Sequence, residues 1–156
     1  MQKAPERLKP FLEFQTQSTD SDWSRARVQC SCGSRIFKFY HNGMERRNLF
    51  GKSSLFVKDD GNLVVSAQCV RCSKSIRLFD SQLDACDCTN MDDGLAEPNV
   101  QTVCPKCGHH EWKIVLEMEF PNVDEEDDIV MQWLRISLQC GNCGRYVKNY
   151  LDIEVE

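Results

Sequence analysis

The sequence predicts a mostly β protein made of two tandem, three-stranded antiparallel units joined by an acidic linker. Three observations carry that expectation. Ten cysteines fall into five close pairs, Cys30/Cys32, Cys69/Cys72, Cys86/Cys88, Cys104/Cys107 and Cys140/Cys143. Several stretches alternate apolar and polar residues with a period of two, the signature of a half-buried strand. The second half of the chain also repeats part of the first, and no stretch shows a convincing helical period of 3.6.

Residues 1–29 form a lead-in whose amphipathic segment around Leu8 to Phe14 fits a short helix or an edge strand. The first unit spans 30–83. Arg35 to His41 alternates, Leu55 to Val57 and Leu63 to Ala67 flank the hairpin-turn signal Asp59-Asp60-Gly61-Asn62, and Ser75 to Phe79 supplies a closing strand. Residues 84–101 read as the linker, because Asp84, Asp87, Asp92, Asp93 and Glu97 accompany Gly94 and Pro98 with almost nothing apolar to pack. The second unit spans 102–156. Trp112, Ile114, Leu116, Met118 and Phe120 share one face of its first strand; Val130, Leu134, Ile136 and Leu138 share a face of the second; Val147, Leu151, Ile153 and Val155 line up in the third.

The repeat extends beyond the cysteines. Cys32-Gly-Ser-Arg-Ile-Phe-Lys-Phe39 sets against Cys107-Gly-His-His-Glu-Trp-Lys-Ile114, and Cys72-Ser-Lys-Ser-Ile-Arg-Leu-Phe79 against Cys143-Gly-Arg-Tyr-Val-Lys-Asn-Tyr150. A duplicated unit is the economical reading. Gly33, Gly108 and Gly144 follow a cysteine where a tight turn needs a positive φ; Ser73 stands at the fourth such position.

Four of the five pairs then read as two copies of one device, in which two separated knuckles lend two thiolates each to a tetrahedral ion. Cys30, Cys32, Cys69 and Cys72 are expected to bind one zinc ion, and Cys104, Cys107, Cys140 and Cys143 a second. Such a closed site holds structure and performs no catalysis. Each cysteine-bounded half has only about 50 residues, a size at which burial alone is marginal and a metal often makes up the difference. The alternative for these pairs is a disulfide or redox role.

The segment Met1 to Lys9 carries Pro5 and four charges, no signal-peptide-like apolar region follows, and no run of about 18 apolar residues occurs. The expectation is a cytoplasmic protein without a membrane partner, and in that compartment thiols stay reduced and serve more often as ligands than as cross-links. The net charge of −5 conceals a division: residues 1–80 hold 14 Lys/Arg against 8 Asp/Glu, and residues 81–156 hold 5 against 16. A polyanion would meet net repulsion over most of the surface, although the N-terminal half could still present a local basic face.

Knuckle, hairpin, knuckle, strand is the layout of zinc ribbons, and Cys104-Pro-Lys-Cys107-Gly with Cys140-Gly-Asn-Cys143-Gly resembles that class. The resemblance covers about residues 30–80 and 102–156. It implies a fold more than a function, since ribbons serve in transcription factors, polymerase subunits and ribosomal proteins. The acidic run Asp124-Glu125-Glu126-Asp127-Asp128 is similar in position to the catalytic hairpin tip of transcript-cleavage factors. It lacks the basic residue and serine of their motif and is expected to be a solvated turn.

Other chemistry is weighed against plainer readings. His109-His110-Glu111 with Cys140-x-x-Cys143 imitates a zinc-deaminase signature. Gln139 replaces its proline, however, and Cys104 and Cys107 would close the open coordination position that catalysis needs. Cys86 and Cys88 are unliganded thiols, substitutes for Cys30/Cys32, or a redox pair or extra metal site. Arg35, Lys38, Arg46, Arg47, Lys52 and Lys58, interleaved with Phe37, Phe39, Tyr40, Phe50 and Phe56, form a candidate single-stranded nucleic-acid surface. The competing reading puts the rings in the core and leaves the cations solvated. His41, His109 and His110 are expected outside the metal's ligand set. Trp112 and Trp133 are expected in the core; Trp23 has no assignment. The function expected from these features is a zinc-binding, non-enzymatic adaptor whose partner is a protein.

Overall fold

The computed structural model describes residues 3–15, 23–57, 62–84, 97–120 and 131–155. After a 3₁₀ turn at Lys9–Phe11, the strands in chain order are β1 (Leu12–Phe14), β2 (Trp23–Val28), β3 (Phe37–His41), β4 (Met44–Arg47), β5 (Ser53–Phe56), β6 (Val64–Cys69) and β7 (Ser75–Asp80). A single helical turn, α1 (Ser81–Asp84), precedes β8 (Val100–Gln101), β9 (Trp112–Glu119), β10 (Trp133–Cys140) and β11 (Tyr146–Glu154). The protein is mostly β, with every pairing antiparallel. Among the described residues no helix is long and apolar enough to cross a membrane.

Among the described residues nine strands form one sheet. β9 is flanked by β2 and β10, β1 extends the sheet beyond β2, and β11 extends it beyond β10. A second branch runs β8, β3, β6, β7, and the two branches meet where Phe37 pairs with Trp112. Both of these rings are fully buried, and the indole N–H of Trp112 donates to the Thr102 carbonyl at 3.0 Å. The junction is therefore two buried aromatic residues in register, with the polar edge of the indole satisfied.

Alternation decides which side chains meet there. Trp112, Ile114, Leu116 and Met118 on β9 lie at or below 1% exposure, and Leu134, Ile136 and Leu138 on β10 match them across the ladder. Each branch departs from strict alternation once, at a bulge. Between β6 and β7 the register shifts after Val65, leaving Leu78 and Phe79 both buried. Between β10 and β11 it shifts at Ile136/Leu138; Asn149 takes φ 52°, its amide donates to Ser137 Oγ at 3.0 Å, and Tyr150 and Leu151 are both buried. An inserted residue re-aims the side chains that follow it.

Three features differ from expectation. The lead-in gives more than one short element: besides the edge strand β1 it contributes β2, whose Ser24, Ala26 and Val28 face the core against β9. β5 pairs with β4 in a separate two-stranded hairpin, and β6 pairs with β3 and β7, so Leu55 to Val57 and Leu63 to Ala67 are not partners; Asp59, Asp60 and Gly61 lie outside the described residues. Asp84, assigned by composition to a solvated linker, is instead tied down. Arg7 donates to both of its carboxylate oxygens at 2.7 Å, the Asp80 amide donates to it at 2.9 Å, and its side chain is 6% exposed.

Candidate metal centres

Each cysteine group sits where two turns meet at the end of a branch. Cys30 and Cys32 occupy the turn from β2 to β3, Cys69 ends β6 and Cys72 lies in the following turn. Cys104 and Cys107 precede β9, Cys140 ends β10 and Cys143 lies in the turn before β11.

The local backbone repeats at all four turns. The residue after the second cysteine is left-handed each time: Gly33 (φ 93°), Ser73 (φ 65°), Gly108 (φ 77°) and Gly144 (φ 77°). Its amide donates back to the first cysteine's carbonyl, at 2.8 Å (Gly33 to Cys30), 2.9 Å (Ser73 to Cys69), 2.9 Å (Gly108 to Cys104) and 3.1 Å (Gly144 to Cys140). The first cysteine's own amide donates forward to the carbonyls of Ser34, Lys74, His109 and Arg145. In the Cys30-Ser31-Cys32 turn both rings are one residue shorter, which is how a one-residue spacer still presents two sulfurs. Further bonds recur between the branches: Arg71 N to Cys69 Sγ and Asn142 N to Cys140 Sγ, both 3.4 Å, and Val70 N to the Ile36 carbonyl alongside Gly141 N to the Glu111 carbonyl.

The result is two groups of four sulfurs, each with all its Sγ atoms within 4.8 Å of one another. In the first, Cys30 and Cys72 are 3.4 Å apart and Cys32 and Cys69 3.5 Å; in the second, Cys104 and Cys143 are 3.7 Å apart and Cys107 and Cys140 3.5 Å. These separations far exceed a covalent S–S bond of about 2.05 Å. They approximate the edge of about 3.8 Å of a sulfur tetrahedron around an ion at about 2.3 Å. The donor set, the spacing and the inward-turned amides all fit a metal ion.

The thiols are electrostatically uneven. Burial raises the pKa of Cys69, but the amides of Cys72 and Arg71 and the thiols of Cys32 and Cys72 outweigh it and bring it down to about 6. The amide of His109 is the chief cause of the fall at Cys107, also to about 6, against burial and with help from Asn142, Cys140 and Cys143. The Lys74 amide lowers Cys72, yet the thiols of Cys30, Cys32 and Cys69 together with burial push it up to about 11. Cys143 is lowered by the Arg145 amide but raised to about 11 by burial and by Cys104, Cys107 and Cys140. Each group thus pairs a thiol whose pKa is lowered with one whose pKa is raised, and a divalent cation would compete with protons for all four sulfurs.

Both sulfur groups contain the cysteines expected from the spacing and no histidine. His41 is buried, with Nδ1 accepting from the Gly43 amide at 3.1 Å. His109 and His110 stack on each other, centroids 6.3 Å apart. Glu111 contributes its carbonyl to the Gly141 amide. Cys86, Cys88 and the acids Asp124 to Asp128 lie outside the described residues.

The sequence-predicted basic and aromatic set is dispersed. Phe37 and Phe39 are fully buried core residues, so they stack no base, whereas Phe50 is 94% exposed at the apex of the β4–β5 hairpin. Arg46 lies over the Phe56 ring at 4.9 Å, Arg35 and Lys52 line two different grooves, and Lys58 lies outside the described residues. Trp112 is core, as expected. Trp133 is half-buried with its N–H on the Asp152 carboxylate, and Trp23 carries the Arg135 guanidinium 4.5 Å above its ring.

Sequence reading missed a buried polar cluster at the branch junction. The hydroxyl of Tyr150 donates to Glu45 Oε2 at 3.0 Å, lies 3.1 Å from Thr102 Oγ1 and faces His41 Nε2 at 3.5 Å. Burial, with the Glu45 charge added, raises this phenol's pKa well above its ordinary value although Thr102 opposes the shift.

Fold and site together define a β protein with two four-cysteine groups, each able to hold a metal ion. Comparison with family models, with curated proteins and with solved structures found no match.

Proposed function

We propose that this protein is a non-enzymatic binding module whose sheet is braced by two structural zinc ions in tandem zinc-ribbon-like units. The observation that carries the reading is the pair of four-sulfur groups, each drawn from two turns 33 to 42 residues apart in sequence and each with the same amide-to-sulfur bond. Zinc is the occupant that best suits four thiolates in a tetrahedron, and four protein ligands leave no open position for substrate or activated water. His110 and Glu111 therefore have no catalytic part in this reading. Zinc's role is to fix turns that short strands could not order by themselves.

The partner is a protein, and the apex of the β4–β5 hairpin supports a contact there. Leu49 and Phe50 are 101% and 94% exposed, yet the turn that presents them is firmly built. Asn48 Oδ1 accepts from the amides of Phe50 and Lys52 at 2.9 and 2.8 Å, and Arg145 Nη2 donates to the Gly51 carbonyl at 3.1 Å. Ordered backbone carrying two adjacent bare apolar side chains lowers the cost of docking them into a partner's pocket. Arg46 and Arg47 beside the apex suit a partner with an acidic rim.

Elemental analysis of the purified chain tests the zinc reading. Two zinc equivalents are expected, falling to one in Cys69→Ser/Cys72→Ser and to one in Cys140→Ser/Cys143→Ser, while Cys86→Ser/Cys88→Ser retains both. An unaltered metal content in either of the first two variants would refute the assignment.

A further inference from the structure

The exposed face of the sheet carries two adjoining basic grooves, which share only Arg35 and Lys52 with the basic set read from the sequence. The first, of about 260 Å³, is walled by Arg25 and Arg27 of β2, Arg35 and Lys113 of β9, over a floor that includes Val28 and Val115. The second, of about 300 Å³, is lined by Lys52, Arg145 and Lys148. Tyr146 lines both and is 44% exposed. Register explains the alignment: Lys113 pairs with Gln139 and Gln139 with Tyr146, which places these three side chains in one row across β9, β10 and β11. Seven cations from five separate segments thus flank the Tyr146 ring, and the exposed Phe50 also lines the second groove.

Two acids temper this charge. Glu13 pairs with Arg35 at 2.7 Å and stands opposite Arg27 in the β1–β2 ladder, and Glu117 stands opposite Arg25 in the β2–β9 ladder. Among the described residues Arg27, Lys113, Lys52 and Lys148 form no ion pair. Their charges face solvent on a surface whose apolar floor and aromatic ring suit flat, weakly hydrated groups.

We infer that this two-groove track binds single-stranded nucleic acid, its cations neutralising successive phosphates while a base stacks on Tyr146. An acidic peptide would satisfy the cations but would leave the ring between the grooves without a role; a base presents a π face to it. The second groove reaches the hairpin apex through Phe50 and Lys52, whereas Leu49 lines neither groove, and the inference rests on the zinc-braced fold only because that fold brings the five segments together.

The test is fluorescence anisotropy of the zinc-loaded full chain with labelled oligothymidylate and oligouridylate of about 12 nucleotides. With four to six phosphates neutralised, affinity should fall about 100-fold between about 50 and 200 mM salt. Arg27→Glu/Lys113→Glu should weaken binding at least about tenfold, and Tyr146→Ala about tenfold, with zinc content and unfolding midpoint unchanged. Leu49→Ser should leave affinity unaltered. A zinc-loaded, folded chain that binds no oligonucleotide at the lower salt, or that binds equally well after the double reversal, overturns the track and leaves the zinc reading intact. Poly-glutamate binding as tightly as the oligonucleotide, with Tyr146→Ala neutral, overturns it in favour of an acidic protein segment. A chain that folds without zinc counts against the zinc reading instead.

Discussion

Tyr150→Phe isolates a single hydroxyl at the junction of the two sheet branches. The ring would remain, with its edge contact to Phe39 at 5.8 Å, so no cavity opens and the packing term is nearly unchanged. What goes is the bond donated to Glu45 at 3.0 Å and the contact with Thr102 at 3.1 Å. A hydrogen bond to a charged group contributes about 1.5 to 3 kcal/mol and a neutral one about 1. Glu45 is exposed and can recover water, whereas Thr102, 3% exposed, can only turn its hydroxyl elsewhere. The expected loss is therefore about 2 kcal/mol, a clear fall in the urea midpoint with an unchanged slope. The same residue has a pH signature. Its folded pKa lies above its unfolded value of about 10, so its contribution is fully present below about pH 10 and is lost as pH rises through the higher folded value. In an alkaline titration followed by phenolate absorbance, the last phenolate to appear should coincide with unfolding, and the variant should lack that phase. A variant as stable as the parent, or a late phase that survives the substitution, would refute the network.

Four further outcomes follow from the same geometry. Ser73→Gly should stabilise the protein by about 0.5 to 1 kcal/mol in urea unfolding, because a left-handed L-residue costs about 1 to 2 kcal/mol, partly offset by the greater freedom of glycine in the unfolded chain. Gly144→Ala, whose new Cβ would meet nothing within 4 Å, should lose about as much by the same reasoning with the sign reversed. Arg7→Ala should cost about 2 kcal/mol in the same assay, since it leaves the nearly buried Asp84 carboxylate without its bidentate partner, while the 31% exposure of Arg7 keeps the loss below that of a fully buried pair. Acidification from about pH 7 to 4 should release zinc into a colorimetric indicator, because protons compete with the ion for thiolate ligands; full retention at the lower pH would contradict all-sulfur ligation.

Strands with large inward residues were legible in the sequence, as were the cysteines that converge. β9 displays Trp112, Ile114, Leu116 and Met118 at perfect alternation, and the knuckle spacing brought out both four-cysteine groups. β2 escaped notice for a physical reason. Its core-facing residues are Ser24, Ala26 and Val28, small side chains chosen by the close approach of β9, while Trp23, Arg25 and Arg27 occupy the outer face. Hydrophobic contrast there is low although the burial is complete. Tyr150 escaped for a different reason: a bulge at Asn149 shifts the phase of β11, so strict alternation from Val147 does not reach it. The β4–β5 pairing was hidden because the strong turn signal Asp59-Asp60-Gly61-Asn62 competed with Asn48 to Lys52, whose turn is held by the Asn48 side chain. Of the basic track only Arg35 and Lys52 were legible, because its other cations come from segments far apart in the chain that the ladder joining β2, β9, β10 and β11 brings together.

The proposed role of zinc in the two four-sulfur groups is to hold this sheet together. Its most direct test is far-ultraviolet circular dichroism of the reduced chain during stepwise chelation, with released zinc counted in parallel. The account predicts that β-structure is lost as two equivalents leave and returns when two are restored. A sheet that persists unchanged in metal-free, reduced protein would contradict it.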